Sequence, residues 1–268
     1  MTADTDHLIV ERQGGVMILR LNRPDARNAI SSEMNAALIA ACDEAEADMS
    51  IGCIVLTGEG KSFSAGGNVK NMKEGKGLFG HATIDTPKAF RTDIQAVPRR
   101  FLALEVPVVA AINGHAVGAG LDFASMCDVR IASDRATFAE SFIRVGLVPG
   151  DGGAWLLPRV VGISVAMEMA LTAEPIDTDR ALHVGLVSRV VPHETLMDEA
   201  LDIANKVARH SPQAIRMTKR LFRASEGATF DQALEQAAFM QAVLKTGSDQ
   251  LEAVDALLEN RAPKFTGN

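Results

Sequence analysis

Hydrophobic and polar residues alternate in short blocks over the first two thirds of the chain, and the blocks predict strands separated by helices. Apolar runs at 8–12 and 16–21 flank Gly14 and Gly15, a pattern typical of a β-hairpin. Four further apolar runs have the length of buried strands, at 53–57, 108–112, 128–132 and 186–191.

Helical patterns fill the stretches between these runs. At 33–48 the apolar residues recur every three to four positions, with Ser31 or Ser32 available as the N-cap. Residues 90–104 predict a helix interrupted near Pro98, and 121–126 a short one. From residue 193 onward the pattern is helical only. We therefore expect an α/β core at 1–192, followed by a helical region at 193–268.

The stretch 108–153 combines the features of a site. A predicted strand leads into the turn at 118–120, which opens a helix with Asp122 in its first turn, and a second glycine-rich turn follows at 149–153. Glycines allow a ligand close to the backbone, and a helix N-terminus offers free N–H groups to negative charge. This predicts a base beside an oxyanion site. Alone, such a turn is more often only a tight connection, and it lacks the third glycine of a dinucleotide motif.

Composition narrows the classes of partner. The 268 residues carry a net charge of −7 without a cluster of Lys and Arg, which argues against nucleic acid. The three cysteines, Cys42, Cys53 and Cys127, show no metal-ligand spacing, and we expect free thiols in a reducing compartment. With no recognisable signal peptide and no apolar run of membrane-span length, the expected location is the cytoplasm.

Five segments, in this order, resemble the crotonase superfamily, the enoyl-CoA hydratase/isomerase family, over nearly the whole chain. They read LNRPDARNAI, FSAGGNVK, PVVAAINGHAVGAGLDFASMCDVRIAS, VGLVPGDGGAWLLPRVVG and SDQLEAVDALLENRAPKF. The resemblance implies a crotonase-like spiral of ββα units with a C-terminal helical trimerisation region, as a homotrimer or a homohexamer. It also implies an acyl-CoA substrate from fatty-acid or related catabolism, with no metal and no cofactor besides the coenzyme A of the substrate.

The resemblance also assigns residues. The backbone N–H groups of Gly67 and Ala119 are the expected oxyanion hole for the thioester oxygen. Arg23 and Arg27 are expected at the CoA phosphates, whereas Lys264 and Phe265 match a feature that often reaches the CoA of a neighbouring subunit. The full set of expected substrate contacts is Arg23, Ala26, Arg27, Ser64, Ala65, Gly66, Gly67, Asn68, Gly118, Phe142, Lys264 and Phe265.

Asp122 matches the first catalytic carboxylate of the family, which is usually Glu. The second catalytic Glu falls on Phe142, which cannot transfer protons. Asp151 or Glu140 could take its place, or the chain has no second acid. We favour Asp151, because it lies in a glycine-rich turn and could face Asp122 across the acyl chain.

Four functions remain open at this point. Hydration across C2=C3 uses two carboxylates, one to activate water and one to donate a proton, whereas moving a double bond needs only one base. The absence of the second Glu therefore favours an isomerase over a hydratase. Hydrolysis or decarboxylation of an acyl-CoA would use the same oxyanion site. A non-catalytic acyl-CoA-binding protein is the alternative of a different class.

Overall fold

The computed structural model describes residues 5–267, in which nine β-strands form two sheets surrounded by α-helices. The strands are β1 Leu8–Gln13, β2 Val16–Leu21, β3 Cys53–Gly58, β4 Ser62–Ser64, β5 Val108–Ile112, β6 His115–Val117, β7 Val129–Ser133, β8 Thr137–Ala139 and β9 Arg189–Val191. The helices are α1 Ser32–Ala47, α2 Val69–Glu74, α3 Thr86–Thr92, α4 Ala96–Ala103, α5 Ala119–Ser125, α6 Gly153–Val161, α7 Ile163–Thr172, α8 Thr178–His183, α9 Leu196–Ala208, α10 Pro212–Ser225, α11 Phe230–Lys245 and α12 Ser248–Leu258.

The larger sheet has six strands in the order β1-β2-β3-β5-β7-β9. Strands β1 and β2 form the predicted antiparallel hairpin, and every later neighbour in this sheet is parallel. Because the central parallel strands are covered on both faces, their residues are mostly apolar, and all of β3 and β5 is buried.

The smaller sheet has three parallel strands in the order β4-β6-β8. Each of its strands follows a strand of the larger sheet after a short turn, and helices follow in turn, so the unit ββα repeats along the chain. The predicted spiral of ββα units is confirmed. It brings the ends of β4, β6 and β8 side by side, and these ends carry the expected site segments.

The ends of the helices are set by capping groups and prolines, and one of the predicted boundaries is wrong. Ser31 caps α1, its side chain accepting a hydrogen bond from the Met34 N–H. The expected interruption of the 90–104 helix at Pro98 is wrong, because the break lies between Thr92 and Ala96. Pro98 is the third residue of α4, where the missing N–H removes no intrahelical bond.

The helices after residue 192 are attached to the core by charged groups as well as apolar ones. Helix α9 packs against the larger sheet through Leu196, Ala200 and Ala204. The guanidinium of Arg216 on α10 donates to the carbonyls of Ala45, Glu46 and Asp48 at the end of α1. The division at residue 192 stays a prediction.

Within residues 5–267, no helix has the length and apolar character required to cross a bilayer.

Candidate active site

Two glycine-rich segments meet where the smaller sheet ends. Gly66, with φ of +74°, lies so close to the next segment that a Cβ there would be 2.4 Å from the Val117 carbonyl oxygen and 3.1 Å from the Ala119 nitrogen. The Gly66 carbonyl accepts from the Ile30 N–H, which fixes the loop. Only glycine permits this approach, so the backbones of Gly67 and Ala119 come to the same cavity wall.

The N–H groups of Gly67 and Ala119 are available to a ligand. Within residues 5–267 neither donates to a protein acceptor. Ala119 is the first residue of α5, where the N–H has no partner inside the helix. Gly118, the N-cap, has φ of +53°, a conformation that favours glycine. An oxygen bound between these two N–H groups could accept both hydrogen bonds, as an oxyanion hole requires.

Three buried carboxyl groups form a cluster beside these N–H groups. Asp122 lies on α5, Glu140 follows β8, and Asp151 lies in the turn before α6. Each is at most 3% exposed. A Cβ built on Gly153 would lie 2.2 Å from Asp122 Oδ1 and 2.6 Å from Glu140 Oε1, so these two carboxyl groups share the space above Gly153.

The acids of this cluster are poorly compensated. Among the described residues no protein donor is well directed at either oxygen of Asp122 or Glu140, or at Oδ1 of Asp151. The Gly153 N–H lies close enough to Asp122 to oppose the rise of its pKa, but it does not prevent that rise. Asp122 and Asp151 can hydrogen-bond to each other when one of them carries a proton. Buried, unpaired carboxylates are costly, which is the usual situation of groups retained for chemistry rather than for stability.

Burial raises the pKa of all three acids. The pKa of Asp122 lies well above its ordinary range, first because of burial and then because of the negative charges of Asp151 and Glu140. Burial and the Asp151 charge raise the pKa of Glu140 to about 8. Burial also raises the pKa of Asp151, although its hydrogen bond with Asp122 opposes the rise. The cluster therefore retains protons at neutral pH, so that it can both donate and accept one.

A cavity of about 640 Å³ adjoins the cluster and contains Gly67, Ala119 and Asp151 in its wall. Asp122 and Glu140 are buried and are not among the residues of the wall. Asp122 and Asp151 are thus neighbours in one cluster, whereas we expected them to face each other across the acyl chain. The cause is the shortness of the turn that carries Asp151, which leads directly into Gly153 against Asp122.

Phe142 lies at the cavity wall as expected, at the start of a short 3₁₀ helix after β8. Its ring would be 3.6 Å from a Cβ on Gly118, so Phe142 borders the turn that leads into Ala119, one of the two N–H donors. The region 72–87 also contributes to the wall, through Met72 and residues 76–79.

The remaining expected contacts divide into two groups. Ala65, Asn68 and Gly118 line the cavity with Gly67. Gly66 shapes the turn, and the buried Ser64 hydroxyl donates to the Asn28 carbonyl. Outside the cavity wall lie Arg23, Ala26, Arg27, Lys264 and Phe265.

The four charged or aromatic residues expected at the CoA lie away from the cavity in the single chain. The Arg23 guanidinium donates to the Ala29 carbonyl, which makes it a support for the loop. Arg27 is exposed, with φ of +53°. Phe265 and Lys264 lie on the far side, against α10 and α12, so within one chain they do not reach this cavity.

The sequence did not identify the residues that hold the turn at 149–153, which carries Asp151 and which we call the acid turn. The Gln95 side chain donates to the Gly150 carbonyl at 2.7 Å, and the Phe90 ring lies 3.4 Å from the position of a Gly150 Cβ. Both belong to the α3–α4 segment, more than fifty residues away in sequence, so no local pattern relates them to Asp151. Within the described residues, no group of three His, Cys, Asp or Glu side chains is arranged to hold a metal ion.

Comparisons with known proteins agree with this geometry. Residues 11–268 match the sequence model of the enoyl-CoA hydratase/isomerase family. A probable enoyl-CoA hydratase of Mycobacterium bovis is 38% identical, covering 99% of each chain. The 2,3-dehydroadipyl-CoA hydratase of Escherichia coli is 37% identical, covering 97% of this chain and 98% of that protein.

A second E. coli relative carries a different activity in its name. Its 1,2-epoxyphenylacetyl-CoA isomerase is 35% identical, covering 94% of this chain and 95% of that protein. Among solved structures, an enoyl-CoA hydratase from Bacillus anthracis superposes with a TM-score of 0.91 at 28% identity, covering 98% of this chain and all of that one. The chain belongs to the enoyl-CoA hydratase/isomerase family, and is an enzyme of acyl-CoA metabolism.

Proposed function

We propose that this enzyme hydrates a 2-enoyl-CoA thioester, with Gly67 and Ala119 as the oxyanion hole and Asp151 and Asp122 as the acid–base pair. The observation that carries the proposal is the buried acid cluster, with one of its carboxyls in the cavity wall beside two free backbone N–H groups. A water and an enoyl chain in this cavity would meet a base and an electrostatic clamp together.

The proposed reaction begins with the thioester oxygen between the N–H groups of Gly67 and Ala119. Asp151 accepts a proton from water as the water oxygen bonds to C3. The electrons of the C2=C3 π bond move toward C2 and the thioester oxygen, which forms an enolate. The proton already held between Asp122 and Asp151 then passes to C2, so that one water has been added and the cluster regains its starting protonation.

The two backbone donors act on the charge that develops in this step. Each donor of such a pair contributes about 3–4 kcal/mol to transition-state stabilisation in comparable sites. The position of Ala119 at the start of α5 adds the favourable end of the helix dipole. Both effects favour the enolate over the neutral thioester, and therefore act on the rate rather than on binding alone.

Isomerisation of an enoyl-CoA is the second candidate, and one observation favours it. Phe142 occupies the usual place of the second Glu, and Asp151 is the one member of the cluster in the cavity wall. A single carboxylate at the wall could remove a proton from C2 of a 3-enoyl-CoA and return it at C4, through a dienolate held by the same N–H groups.

The two candidates are separated by their substrates. We expect crotonyl-CoA to lose its enoyl absorbance in the presence of the purified enzyme, with 3-hydroxybutyryl-CoA as the product. A 3-enoyl-CoA that gains enoyl absorbance, while crotonyl-CoA is unchanged, would replace hydration by isomerisation. If neither thioester reacts, both assignments of this site fail.

A trimer-based assembly, a homotrimer or a homohexamer, is part of the proposal. The last two helices expose large apolar side chains on the single chain, at Phe230, Leu234, Phe239, Val243, Leu251, Val254, Leu257 and Leu258. Apolar surface of this extent is typical of a subunit interface. In such an assembly Lys264 and Phe265 would contact a neighbour's CoA. Light scattering at micromolar concentration tests this, and a monomer would contradict it.

We also propose a cytoplasmic location and no cofactor other than the coenzyme A of the substrate. The location is supported by the three cysteines, which are free and buried. Burial raises the pKa of each thiol to about 12, which makes all three poor nucleophiles at neutral pH. The proposed chemistry needs only carboxyl and backbone groups.

A further inference from the structure

One corner of the acyl cavity is polar. Most of the wall around it is apolar, with Ile30, Leu78, Phe79, Phe90 and Ile94 among its residues. Among the polar residues of the wall, Ser32 and Asn35, from the first turn of α1, and Asp93, from the α3–α4 connection, bond to one another, and we call these three residues the polar corner.

The polar corner is held together by two short hydrogen bonds to one carboxylate. Ser32 Oγ donates to Asp93 Oδ2 at 2.5 Å, and Asn35 Nδ2 donates to Asp93 Oδ1 at 2.6 Å. A carboxylate only accepts, so the amide of Asn35 must turn its nitrogen toward Asp93. The orientation of the Asn35 side chain is therefore fixed, and its oxygen faces away from Asp93.

That oxygen has no partner. Asn35 is 3% exposed, and its Oδ1 is buried without a hydrogen-bond donor among the described residues. A buried amide oxygen without a donor is uncommon in proteins and unfavourable. Because Asn35 is also part of the cavity wall, a donor supplied by a ligand would relieve this cost.

The polar corner lies on the side of the acid turn. Asp93 is two residues from Gln95, which donates to the Gly150 carbonyl, and three from Phe90, which packs at Gly150. Gly150 precedes Asp151. The segment that carries Asp93 thus also braces the turn that carries the proposed base, so the polar corner and Asp151 belong to the same part of the cavity wall.

The charges around the corner select for a donor. Asp93 and the neighbouring Glu33 are both in the cavity wall. The two wall cations, Lys76 and Arg144, come from other segments, and Lys76 pairs with Glu74 at 2.7 Å. A carboxylate on the acyl chain would face the acids of the corner, whereas a hydroxyl could donate to Asn35 Oδ1 without introducing charge.

We propose that the acyl group of the substrate carries a hydroxyl that donates to Asn35 Oδ1, and that the polar corner is the specificity determinant for it. This inference rests on the proposed hydration at the same site. A site built to bind a substrate hydroxyl discriminates strongly against the analogue without it, since its own polar group is then left unpaired.

The test uses pairs of trans-2-enoyl-CoA thioesters of increasing chain length, each with and without a hydroxyl on the last carbon. At the matching length the wild-type enzyme should show a kcat/KM at least about tenfold higher for the hydroxylated member. Asn35→Leu, which keeps the volume and removes the acceptor, should abolish this preference, so that kcat/KM becomes equal for the two members of each pair. The loss should fall on KM and kcat/KM for the hydroxylated member.

A second variant keeps the inference testable if Asn35→Leu does not fold. Asp93→Asn keeps the shape of the corner but no longer fixes the Asn35 amide, so it should lower the preference severalfold while Tm changes little. Equal kcat/KM for both members at every length in the wild-type enzyme would overturn the inference, and would mean that water satisfies Asn35. Turnover of the plain thioesters would still support the proposed function, so the two failures are distinguishable.

Discussion

Asp122 fills the space that a side chain on Gly153 would need. A Cβ at Gly153 would lie 2.2 Å from Asp122 Oδ1, well inside van der Waals contact, and 2.6 Å from Glu140 Oε1. The first residue of α6 must therefore lack a side chain for the carboxyl groups of α5 and of the segment after β8 to meet. The glycine-rich turn at 149–153 thus shapes the acid cluster as well as the chain path.

Gly153→Ala should separate these carboxyl groups. The φ of Gly153 is not positive, so alanine is compatible with the backbone, and it favours the helix more than glycine does. We expect kcat to fall by roughly tenfold or more, as misplaced catalytic groups commonly cause, and Tm to fall as well, because the added methyl group overpacks a buried cluster. Gly227→Ala is the matched control, since a Cβ there meets nothing within 4 Å. Normal kcat in a folded Gly153→Ala enzyme would show that the cluster is not part of the reaction.

Asp122→Asn should abolish turnover while CoA-thioester binding persists. Asparagine has the same shape, but it cannot hold or release the proton that Asp122 shares with Asp151. Because Asp122 is not among the residues of the cavity wall, its loss should leave substrate contacts intact. The measurements are kcat with crotonyl-CoA and the Kd of a non-reactive acyl-CoA by calorimetry. Retention of near wild-type kcat would remove Asp122 from the mechanism.

Gly67→Val should lose activity without loss of fold. A Cβ on Gly67 would lie 2.6 Å from Met72 Cε, the end of a flexible side chain that can move, so the protein should tolerate the change. The added methyl groups would instead occupy the cavity where the thioester must approach the backbone N–H. Circular dichroism checks the fold and steady-state kinetics the activity. Wild-type kinetics in a folded variant would contradict the assignment of Gly67 as an oxyanion donor.

Glu140→Gln should stabilise the protein at alkaline pH. The folded-state pKa of Glu140 is raised from 4.5 to about 8, so the folded protein keeps a proton that the unfolded chain releases. The free energy of unfolding therefore falls as pH rises from about 4.5 to about 8. A tenfold change in proton affinity corresponds to about 1.4 kcal/mol, so the cost can reach a few kcal/mol.

The glutamine side chain of this variant carries no ionisable proton, so Glu140→Gln avoids this cost. Urea unfolding of both proteins should give similar stabilities in acid, below the unfolded-state pKa, and a more stable variant above about pH 8. A variant that is less stable than the wild-type protein at both ends of this range would show that Glu140 has a compensating partner in the folded state.

Most of the fold could be predicted from the sequence, because strands, turns and helix caps depend on residues that are close together in the chain. Apolar runs predicted the hairpin and the strands β3, β5 and β7, and Ser31 was one of two expected caps of α1. The break between α3 and α4 does not lie at Pro98, because a proline in the first turn of a helix removes no intrahelical hydrogen bond. The start of β9 was set too early, because Leu186 instead donates its N–H to the Ala181 carbonyl.

The site was predictable where motifs carry it and unpredictable where distant segments meet. The glycine turns and all three acids were identified, but two acids were weighed as alternatives, whereas the structure places both beside Asp122. Gln95, Asp93 and Asn35 were missed, because their relation to the acid turn depends on packing between segments far apart in sequence. Burial of an unpaired oxygen, as in Asn35, leaves no mark in a residue pattern.

The most direct test of the central claim is the kcat of Asp151→Asn with crotonyl-CoA, measured beside Glu140→Gln. Asp151 is the acid in the cavity wall, so its amide should lower kcat by roughly 10²-fold or more, the usual scale for a lost acid–base group. Glu140→Gln, whose side chain is not part of the wall, should be much milder. A wild-type kcat in Asp151→Asn, with activity lost in Glu140→Gln, would contradict the account.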